Sequence, residues 1–301
     1  MKEALPDLYP GFDSVTIDTG DVQLFCRIGG TGPALLLLHG YPQSNEIWHK
    51  IAPGLAKHFT LIMPDLPGYG RSSIPALSSD HRAYSKKAMA DSMVELMRQL
   101  GHTSFYLAGH DRGGRVGYRL ALDHPEAIKR LAVLDIMPTS DYWDRLDRTF
   151  GLKIYHWMFL AQPAPYPETL IAASATSFLE HTLASWTGLK NLDCFSEGAL
   201  AHNRSWFGDP ARIAATCEDY RAGATIDYEH DKADLDAGNR ISVPLLALWG
   251  NKGIATSVDD PLAVWRNWCD DVSGKALECG HFLPEEAPEA TGEALLSFFG
   301  P

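Results

Sequence analysis

The sequence predicts an α/β protein whose mostly parallel, doubly wound sheet carries an inserted helical cap. Continuous aliphatic runs of strand length recur along the chain, and segments with helical spacing separate them, which is typical of a parallel sheet buried on both faces. A glycine-flanked acidic residue, Asp111, stands where one such strand gives way to a helix. Between residues 138 and 239 the aliphatic runs stop and aromatic residues become dense, which indicates a helical insertion.

The bulk properties exclude several function classes. The 301 residues suffice for one large α/β domain with an inserted subdomain. The net charge of -12 argues against a nucleic-acid partner, and an anionic ligand would need a local cationic site. The five cysteines are scattered without C-x-x-C spacing, so neither a disulfide framework nor a zinc site is predicted. Without an apolar signal core or a membrane-length apolar run, we expect a cytoplasmic protein with no membrane partner.

The first elements form the edge of the predicted sheet. Residues 15–19 and 22–27 alternate polar and apolar side chains around the turn Thr19-Gly20-Asp21, which predicts an antiparallel pair of strands. Residues 34–38 are continuously apolar and predict a third strand, buried on both faces. A loop that reads His39-Gly40-Tyr41-Pro42-Gln43 follows it.

Two helices and two strands come next. We expect a helix from Trp48 to Phe59, a strand over residues 60–63, and a helix from Ser85 to Leu100 with apolar residues at helical spacing. The run Phe105-Tyr106-Leu107-Ala108 then predicts another buried strand. Helical spacing resumes directly after residue 113.

The turn between this strand and helix carries the first candidate catalytic residue. It reads Gly109-His110-Asp111-Arg112-Gly113, and such small residues permit a strained backbone and close packing of strand on helix. The pattern is that of the nucleophile elbow of α/β-hydrolases, with Asp111 where serine usually stands. A carboxylate is a poor nucleophile toward esters but a useful one toward a saturated carbon that carries a halide or an epoxide oxygen. Asp111 therefore favours a dehalogenase or an epoxide hydrolase over an esterase.

The loop after the third strand predicts an oxyanion hole. In α/β-hydrolases an H-G-x-P loop at this place supplies one backbone N–H, and the residue after the nucleophile supplies the other. Here these are the N–H groups of Tyr41 and Arg112.

Two later residues complete a candidate triad. A buried strand over residues 131–135 ends in Asp135, at the carboxyl edge of the sheet where ligand sites gather. The next strand, over residues 243–250, has no acid directly after it; Asp259 and Asp260 are the nearest, so we favour Asp135. His281 follows a weak last strand near residues 275–278, with a final helix opening at Pro284. The order nucleophile, acid, histidine is that of the hydrolase fold.

The insertion separates the predicted halves of the core. We expect residues 1–137 and 240–301 to form the core domain and residues 138–239 to form a helical cap subdomain. Most aromatic side chains of this segment are expected to pack in its own small core.

The motifs together resemble one family. The chain is similar to the bacterial fluoroacetate dehalogenases of the α/β-hydrolase superfamily nearly end to end, and the H-D-R-x-x-R and Y-H-W motifs are the specific part. The stretches that carry the resemblance are LLLLHGYPQ, DLPGYG, LAGHDRGGRVGYRLAL, LAVLDIMP, KIYHWMFLAQPAP, CEDYRAGA, PLLALWG and SGKALECGHFLPEEAPE.

The resemblance implies a role for each candidate residue. Asp111 would be the nucleophile, His281 the base and Asp135 its orienter, while Arg112 and Arg115 would hold the carboxylate of a 2-haloacid. The departing fluoride would be met by three donors, and one further residue would line the pocket. The three donors are His156, Trp157 and Tyr220, and the lining residue is Trp186. The family also implies a homodimer. Tyr41 departs from its pattern, which more often has phenylalanine there.

Elementary chemistry agrees with these roles. Arg112 and Arg115 are three residues apart at a helix start, so both can reach one anion, and two guanidinium groups suit a planar carboxylate. Fluoride leaves poorly unless donors meet its growing charge; an imidazole, an indole and a phenol supply three. The reaction needs no metal and no organic cofactor.

Three alternatives stay open. An epoxide hydrolase would use the same triad with two cap tyrosines, for which Tyr155, Tyr166 and Tyr220 are available. A haloalkane dehalogenase usually has tryptophan after the nucleophile and asparagine after the H-G pair, which Arg112 and Tyr41 do not match. A non-catalytic ligand receptor on the same fold would not need the intact triad, and saturable turnover would distinguish it from an enzyme.

Overall fold

The computed structural model describes residues 5–255 and 260–300. Eight strands form one sheet in the order β1-β2-β4-β3-β5-β6-β7-β8. Only β1–β2 and β2–β4 pair antiparallel; the other five pairs are parallel. The predicted mostly parallel α/β sheet is therefore confirmed. The strands are β1 Asp13–Asp18, β2 Gln23–Gly30, β3 Ala34–Leu38, β4 Thr60–Pro64, β5 Phe105–His110, β6 Ile128–Leu134, β7 Leu245–Gly250 and β8 Val272–Leu277.

The continuous apolar run of β3 is explained by its two covered faces. Successive side chains of a strand point to opposite faces of the sheet. Leu36 and Leu38 belong to the core on one face, and Leu35 and Leu37 belong to the core on the other. All four leucines are fully buried. A strand with helices over both faces has no position for a polar side chain, so the alternation seen in β1 is lost.

Helices cover both faces of the sheet, and two of the predicted ones differ in form. In place of the expected helix over residues 48–59 there is a 3-10 turn, Asn45–Trp48, followed by the four-residue helix Ala52–Leu55, which has Pro53 in its first turn. The expected final helix is divided by Pro288 into two. The core helices are α1 Ala52–Leu55, α2 Lys86–Gln99, α3 Arg112–Asp123, α12 Pro261–Trp265, α13 Leu283–Glu286 and α14 Pro288–Phe299.

Eight helices and no strand lie between β6 and β7, a stretch that the structure describes throughout. We propose that they form the cap, residues 138–239, on a core of residues 1–137 and 240–301. Among the described residues, none of the helices combines the length and apolar character needed to cross a bilayer. The cap helices are α4 Thr139–Asp144, α5 Arg148–Lys153, α6 Tyr155–Leu160, α7 Tyr166–Ala172, α8 Ala175–Trp186, α9 Glu197–Phe207, α10 Pro210–Ala224 and α11 Ile226–Ala237.

Candidate active site

Asp111 occupies a strained turn between β5 and α3. Its backbone lies at φ 47° and ψ -117°, a conformation that a residue with a side chain rarely adopts. Glycine is needed on both sides of it: a Cβ atom on Gly109 would lie 2.4 Å from the carbonyl oxygen of Gly113, and one on Gly113 would lie 2.3 Å from that of Leu38. The turn presents the Asp111 carboxylate at the carboxyl edge of the sheet, where it is 7% exposed.

Asp135 and His281 lie beside this carboxylate. Asp135 follows β6 with φ 50°, and its Oδ2 atom accepts a hydrogen bond of 2.6 Å from Nδ1 of His281. The Nε2 atom of His281 faces Oδ2 of Asp111 at 3.8 Å. Burial lowers the pKa of His281, but the hydrogen bond and the charge of Asp135 outweigh it, so the pKa is raised above its ordinary value. The structure thus brings the three triad candidates together.

The end of β7 and the loop after it hold Asp135 in place. Backbone N–H groups of Gly250 and Ile254 donate to its carboxylate at 3.2 and 3.4 Å, and a Cβ atom on Gly253 would lie 2.5 Å from Oδ1. Of the two other acids considered from the sequence, Asp260 caps α12 with an exposed side chain. Asp259 lies outside the described residues.

The predicted oxyanion loop touches the nucleophile candidate directly. The N–H group of Tyr41 donates to Oδ1 of Asp111 at 2.8 Å. Gly40 permits this approach, because a Cβ atom there would lie 2.4 Å from Cβ of Asp111. Arg112 is the first residue of α3, and N–H groups of a first helical turn have no partner within the helix. Burial raises the pKa of Asp111, yet the charges of His281 and Arg112, with other neighbours, hold it below its usual value, so the carboxylate is ionised at neutral pH.

The two arginines are both buried but differ in their partners. Arg112 donates through Nε and Nη2 to the carboxylate of Asp219, at 3.0 and 2.7 Å. Arg115 donates through Nη1 to the carbonyl oxygen of Met137 and to Thr139 Oγ1, at 3.0 and 3.1 Å. Among the described residues no acid lies within ion-pair distance of Arg115. No local pattern predicts this role for Asp219, although it stands next to Tyr220 in the stretch CEDYRAGA.

Aromatic side chains of the cap close the site above Asp111. The ring of His156 lies 5.8 Å from that of Tyr220 and 4.4 Å from that of Trp186, which in turn lies 5.4 Å from the ring of His281. Trp157 lies 6.2 Å from Tyr220. All four cap rings are at most 8% exposed. Burial lowers the pKa of His156 to about 3, so its imidazole is neutral at physiological pH.

Several buried polar atoms around Asp111 have no partner among the described residues. A buried donor or acceptor without a hydrogen bond costs about 1–3 kcal/mol, so native structures rarely collect such atoms in one place without a ligand to pair them. The set is rich in donors, as a small anion requires. No group of described residues could hold a metal ion. The atoms are Arg112 Nη1, Arg115 Nε, His156 Nδ1, His281 Nε2, Tyr41 OH and Tyr220 OH.

Two of the tyrosines considered for epoxide chemistry are exposed. Tyr155 is 44% exposed and Tyr166 is 58% exposed, whereas Tyr220 is buried in the site. Tyr41 takes the place of a second tyrosine: its ring lies 5.2 Å from that of Tyr220, and both hydroxyl groups are buried. The sequence predicted a role only for the backbone of Tyr41, since nothing in its local pattern indicates a contact with residue 220.

The chain is similar to known proteins along nearly its whole length. The family model of the α/β hydrolase fold matches residues 33–288. A fluoroacetate dehalogenase of Burkholderia sp is 44% identical over 97% of this chain and 95% of its own, which confirms the resemblance inferred from the motifs. A soluble epoxide hydrolase of Corynebacterium sp. (strain C12) is 32% identical over 90% and 92% of the two chains. A solved structure from Nostoc sp PCC 7120, assigned to the alpha/beta hydrolases, is 50% identical with a TM-score of 0.93, covering 96% and 98% of the two chains.

Proposed function

This chain belongs to the α/β hydrolase fold family, and from that premise we propose that it is a hydrolytic dehalogenase of small 2-haloacids. We take fluoroacetate, which would give glycolate and fluoride, as its substrate. The observation that carries the proposal is the Asp111 carboxylate, which lies between the Tyr41 N–H and the Asp135-paired His281 and beside two buried arginines.

The first step is a displacement at carbon. The N–H group of Tyr41 binds Oδ1 of Asp111 and leaves Oδ2 to attack the α-carbon of the haloacid. The new C–O bond forms as the C–F bond breaks, and fluoride departs with the bonding electron pair. Arg112 and Arg115 hold the substrate carboxylate, while His156, Trp157 and Tyr220 donate to the departing fluoride. Each such donor stabilises the transition state by about 2–4 kcal/mol.

The second step hydrolyses the ester on Asp111. His281, held by Asp135, takes a proton from water, and the hydroxide attacks Cγ of Asp111. The N–H groups of Tyr41 and Arg112 stabilise the oxyanion that forms at Oδ1. Collapse breaks the ester bond, and the glycolate oxygen takes the proton back from His281. Asp111 is regenerated with one oxygen atom from water. No step requires a cofactor.

The direct test is fluoride release from fluoroacetate by the purified protein, with chloroacetate in parallel. We expect catalytic release of both halides. Release of chloride from chloroacetate without release of fluoride from fluoroacetate would agree with the roles assigned to Asp111, Arg112 and Arg115. It would overturn the assignment of the three halide donors. Release of neither halide would contradict the proposal.

A trapped intermediate tests the two steps separately. In His281→Asn the first step remains while water activation is lost, so Asp111 should accumulate a carboxymethyl ester, detectable by mass spectrometry of the peptide. His102→Asn, at a partly exposed histidine in the loop between α2 and β5, is the matched control and should stay unmodified. An unmodified His281→Asn protein after exposure to substrate would argue against a covalent mechanism.

Epoxide hydrolysis is the second candidate, and the pair Tyr41 and Tyr220 favours it. Two phenol groups 5.2 Å apart between ring centres could together protonate an epoxide oxygen while Asp111 opens the ring. The Corynebacterium relative supports the same reading. Assays with styrene oxide separate the candidates: Tyr41→Phe should abolish most epoxide turnover and spare fluoride release. A receptor role would be supported if ligand bound without any turnover.

We also propose a cytoplasmic homodimer that associates through the cap. Of the eight large hydrophobic side chains that are exposed among the described residues, six lie on cap positions from Leu146 to Leu189, and Leu152 and Leu189 are more than 70% exposed. Exposed apolar side chains concentrated on one subdomain favour self-association. Light scattering of wild type and of Leu152→Lys checks this expectation.

A further inference from the structure

A buried carboxylate of the cap contacts one of the two arginines beside Asp111. Asp219 of α10 is fully buried, and it accepts hydrogen bonds from Nε and Nη2 of Arg112, the latter also donating to its backbone carbonyl at 2.7 Å. Such two-point pairing fixes the plane of a guanidinium group. The only remaining donor nitrogen, Nη1, has no partner among the described residues.

Core residues hold Asp219 in turn. The hydroxyl group of Tyr69, in the loop after β4, donates to its Oδ2 at 2.6 Å, and Nζ of Lys86, at the start of α2, donates to its Oδ1. Lys86 has a second acid, Asp227, at 3.2 Å. All of these side chains are at most 3% exposed. Asp219 is therefore held by several donors from separate elements, and its orientation is fixed before any ligand arrives.

The next turn of α10 leaves room for the guanidinium group. A Cβ atom on Gly223 would lie 3.1 Å from Nη2 and 3.6 Å from Nη1 of Arg112. Tyr220, which follows Asp219, places its ring 4.2 Å from Cζ of Arg112. One face of a single cap helix thus holds Arg112 through an acid, a ring and a missing side chain.

We propose that Asp219 is a positioning residue, which fixes Arg112 so that Nη1 alone meets the substrate carboxylate. The proposal rests on the function proposed above and refines its clamp. Arg112, already paired with an acid, supplies direction, whereas Arg115, which has no acid partner among the described residues, supplies the charge.

The central experiment compares Asp219→Asn with Asp227→Asn. Both remove a buried acid from Lys86, but only the first removes the carboxylate that pairs with Arg112 at two points. We expect Asp219→Asn to lower kcat/KM for chloroacetate about 10–100-fold and to weaken inhibition by acetate, which carries the carboxylate without a leaving group, by a similar factor. Asp227→Asn should change either value less than about threefold. Equal losses in the two variants would overturn the proposal, because the effect would then arise from Lys86 or the fold.

Asp219→Asn could fail to fold, and it also leaves the charge of Arg112 without a paired acid. Two comparisons address these effects. If Asp219→Asn does not fold, the double variant Lys86→Met/Asp219→Asn takes its place in the experiment. The double variant removes one positive and one negative charge, and it is compared with Lys86→Met alone. Tighter acetate binding by either variant would mean that Asp219 only neutralises Arg112, and would contradict a positioning role.

Gly223→Ala offers a test without any change of charge. Alanine favours a helix more than glycine does, so the melting temperature should not fall. The added methyl group displaces the guanidinium group by tenths of an ångström, and KM for chloroacetate should rise several-fold. A merely structural contact would not separate stability from KM in this way; an unchanged KM would count against the proposal.

Direct binding keeps this inference separable from the proposed function. Calorimetric titration of acetate into wild type, Asp219→Asn and Asp227→Asn needs no turnover. If wild type releases no halide yet binds acetate, the proposed reaction fails and the titration still decides the role of Asp219. If Asp219→Asn binds acetate as wild type does, the positioning role is wrong even when the enzyme is a dehalogenase.

Discussion

The core half and the cap half of the site differ in how their polar atoms are held. In the core half, Asp111 accepts a hydrogen bond from the N–H of Tyr41. Asp135 accepts hydrogen bonds from two backbone N–H groups and from Nδ1 of His281. In the cap half, Nδ1 of His156 and the hydroxyl group of Tyr220 have no partner among the described residues. The triad candidates of the core half are thus held by hydrogen bonds within the protein, whereas the rings of His156 and Tyr220 in the cap half are held by packing.

This difference fits the roles proposed for the two halves. Hydrogen bonds from a rigid backbone set the direction of a carboxylate or an imidazole before a ligand arrives, which is the condition for efficient nucleophilic and base catalysis. Rings can be held by their faces and edges: Trp157 stacks on Tyr142 with centres 5.1 Å apart and planes inclined by 20°. Among the described residues, Nδ1 of His156 and the hydroxyl group of Tyr220 are left without a partner, so both could donate to a departing halide.

Removal of the proposed nucleophile should have the largest effect on activity. This effect should be confined to the core half of the site. Asp111→Ala should reduce kcat for fluoroacetate by about 10⁴-fold or more, because no other group can form the ester. Acetate binding should remain measurable, since the arginines and the cap rings are unchanged. Fluoride release and calorimetry check the two statements, and loss of acetate binding would show that the halves are not independent.

Asp135→Asn should weaken the second chemical step more than the first. An amide supplies no charge to His281, and we expect kcat to fall by about 10²–10³-fold with accumulation of the ester on Asp111. Asp135 raises the pKa of His281, and the base must be neutral to act, so activity in wild type increases as pH rises through that raised pKa. In the variant the residual activity should begin to rise at lower pH. A pH profile that does not move would contradict this assignment.

Tyr220→Phe should lower kcat more for fluoroacetate than for chloroacetate, and this difference tests the cap half alone. Loss of one donor to the leaving group should lower kcat for fluoroacetate by about 10²-fold, and for chloroacetate by less, because chloride leaves with less assistance. Tyr166→Phe, at an exposed position of the cap, is the matched control. Equal losses with both substrates would argue that Tyr220 shapes the pocket and does not bind the halide.

The smallest expected effect lies where the halves meet. Asp231 of α11 accepts hydrogen bonds from the hydroxyl group of Tyr118 and the N–H of Ser140, and burial raises its pKa to about 7. A raised carboxyl pKa means that the unfolded state loses its proton first, so the free energy of unfolding decreases as pH rises from about 4 to about 7. Asp231→Asn should remove part of this decrease while kcat at pH 7 changes less than about threefold. Denaturant unfolding at several pH values measures it, and an unaltered pH dependence would refute the assignment.

The sequence by itself determined the sheet and the turn that carries Asp111. Aliphatic runs predicted the strands because both faces of the sheet are covered, and the glycines around Asp111 predicted its turn because neighbouring backbone leaves no space for a side chain. Two helix predictions were less accurate, at Pro53 and Pro288, where proline interrupts or restarts a helix. The roles of the triad residues stay predictions, although the structure brings their side chains together.

Only the tertiary structure decided the partners of the cap half. Asp219 lies 107 positions from Arg112 along the chain, and no local pattern specifies a contact over such a distance. The same holds for Tyr41 beside Tyr220, and for Tyr155 and Tyr166, which a composition argument groups with Tyr220 but which the fold exposes. Local sequence fixes periodicity and backbone conformation, whereas the packing of one helix on another fixes which buried charges meet.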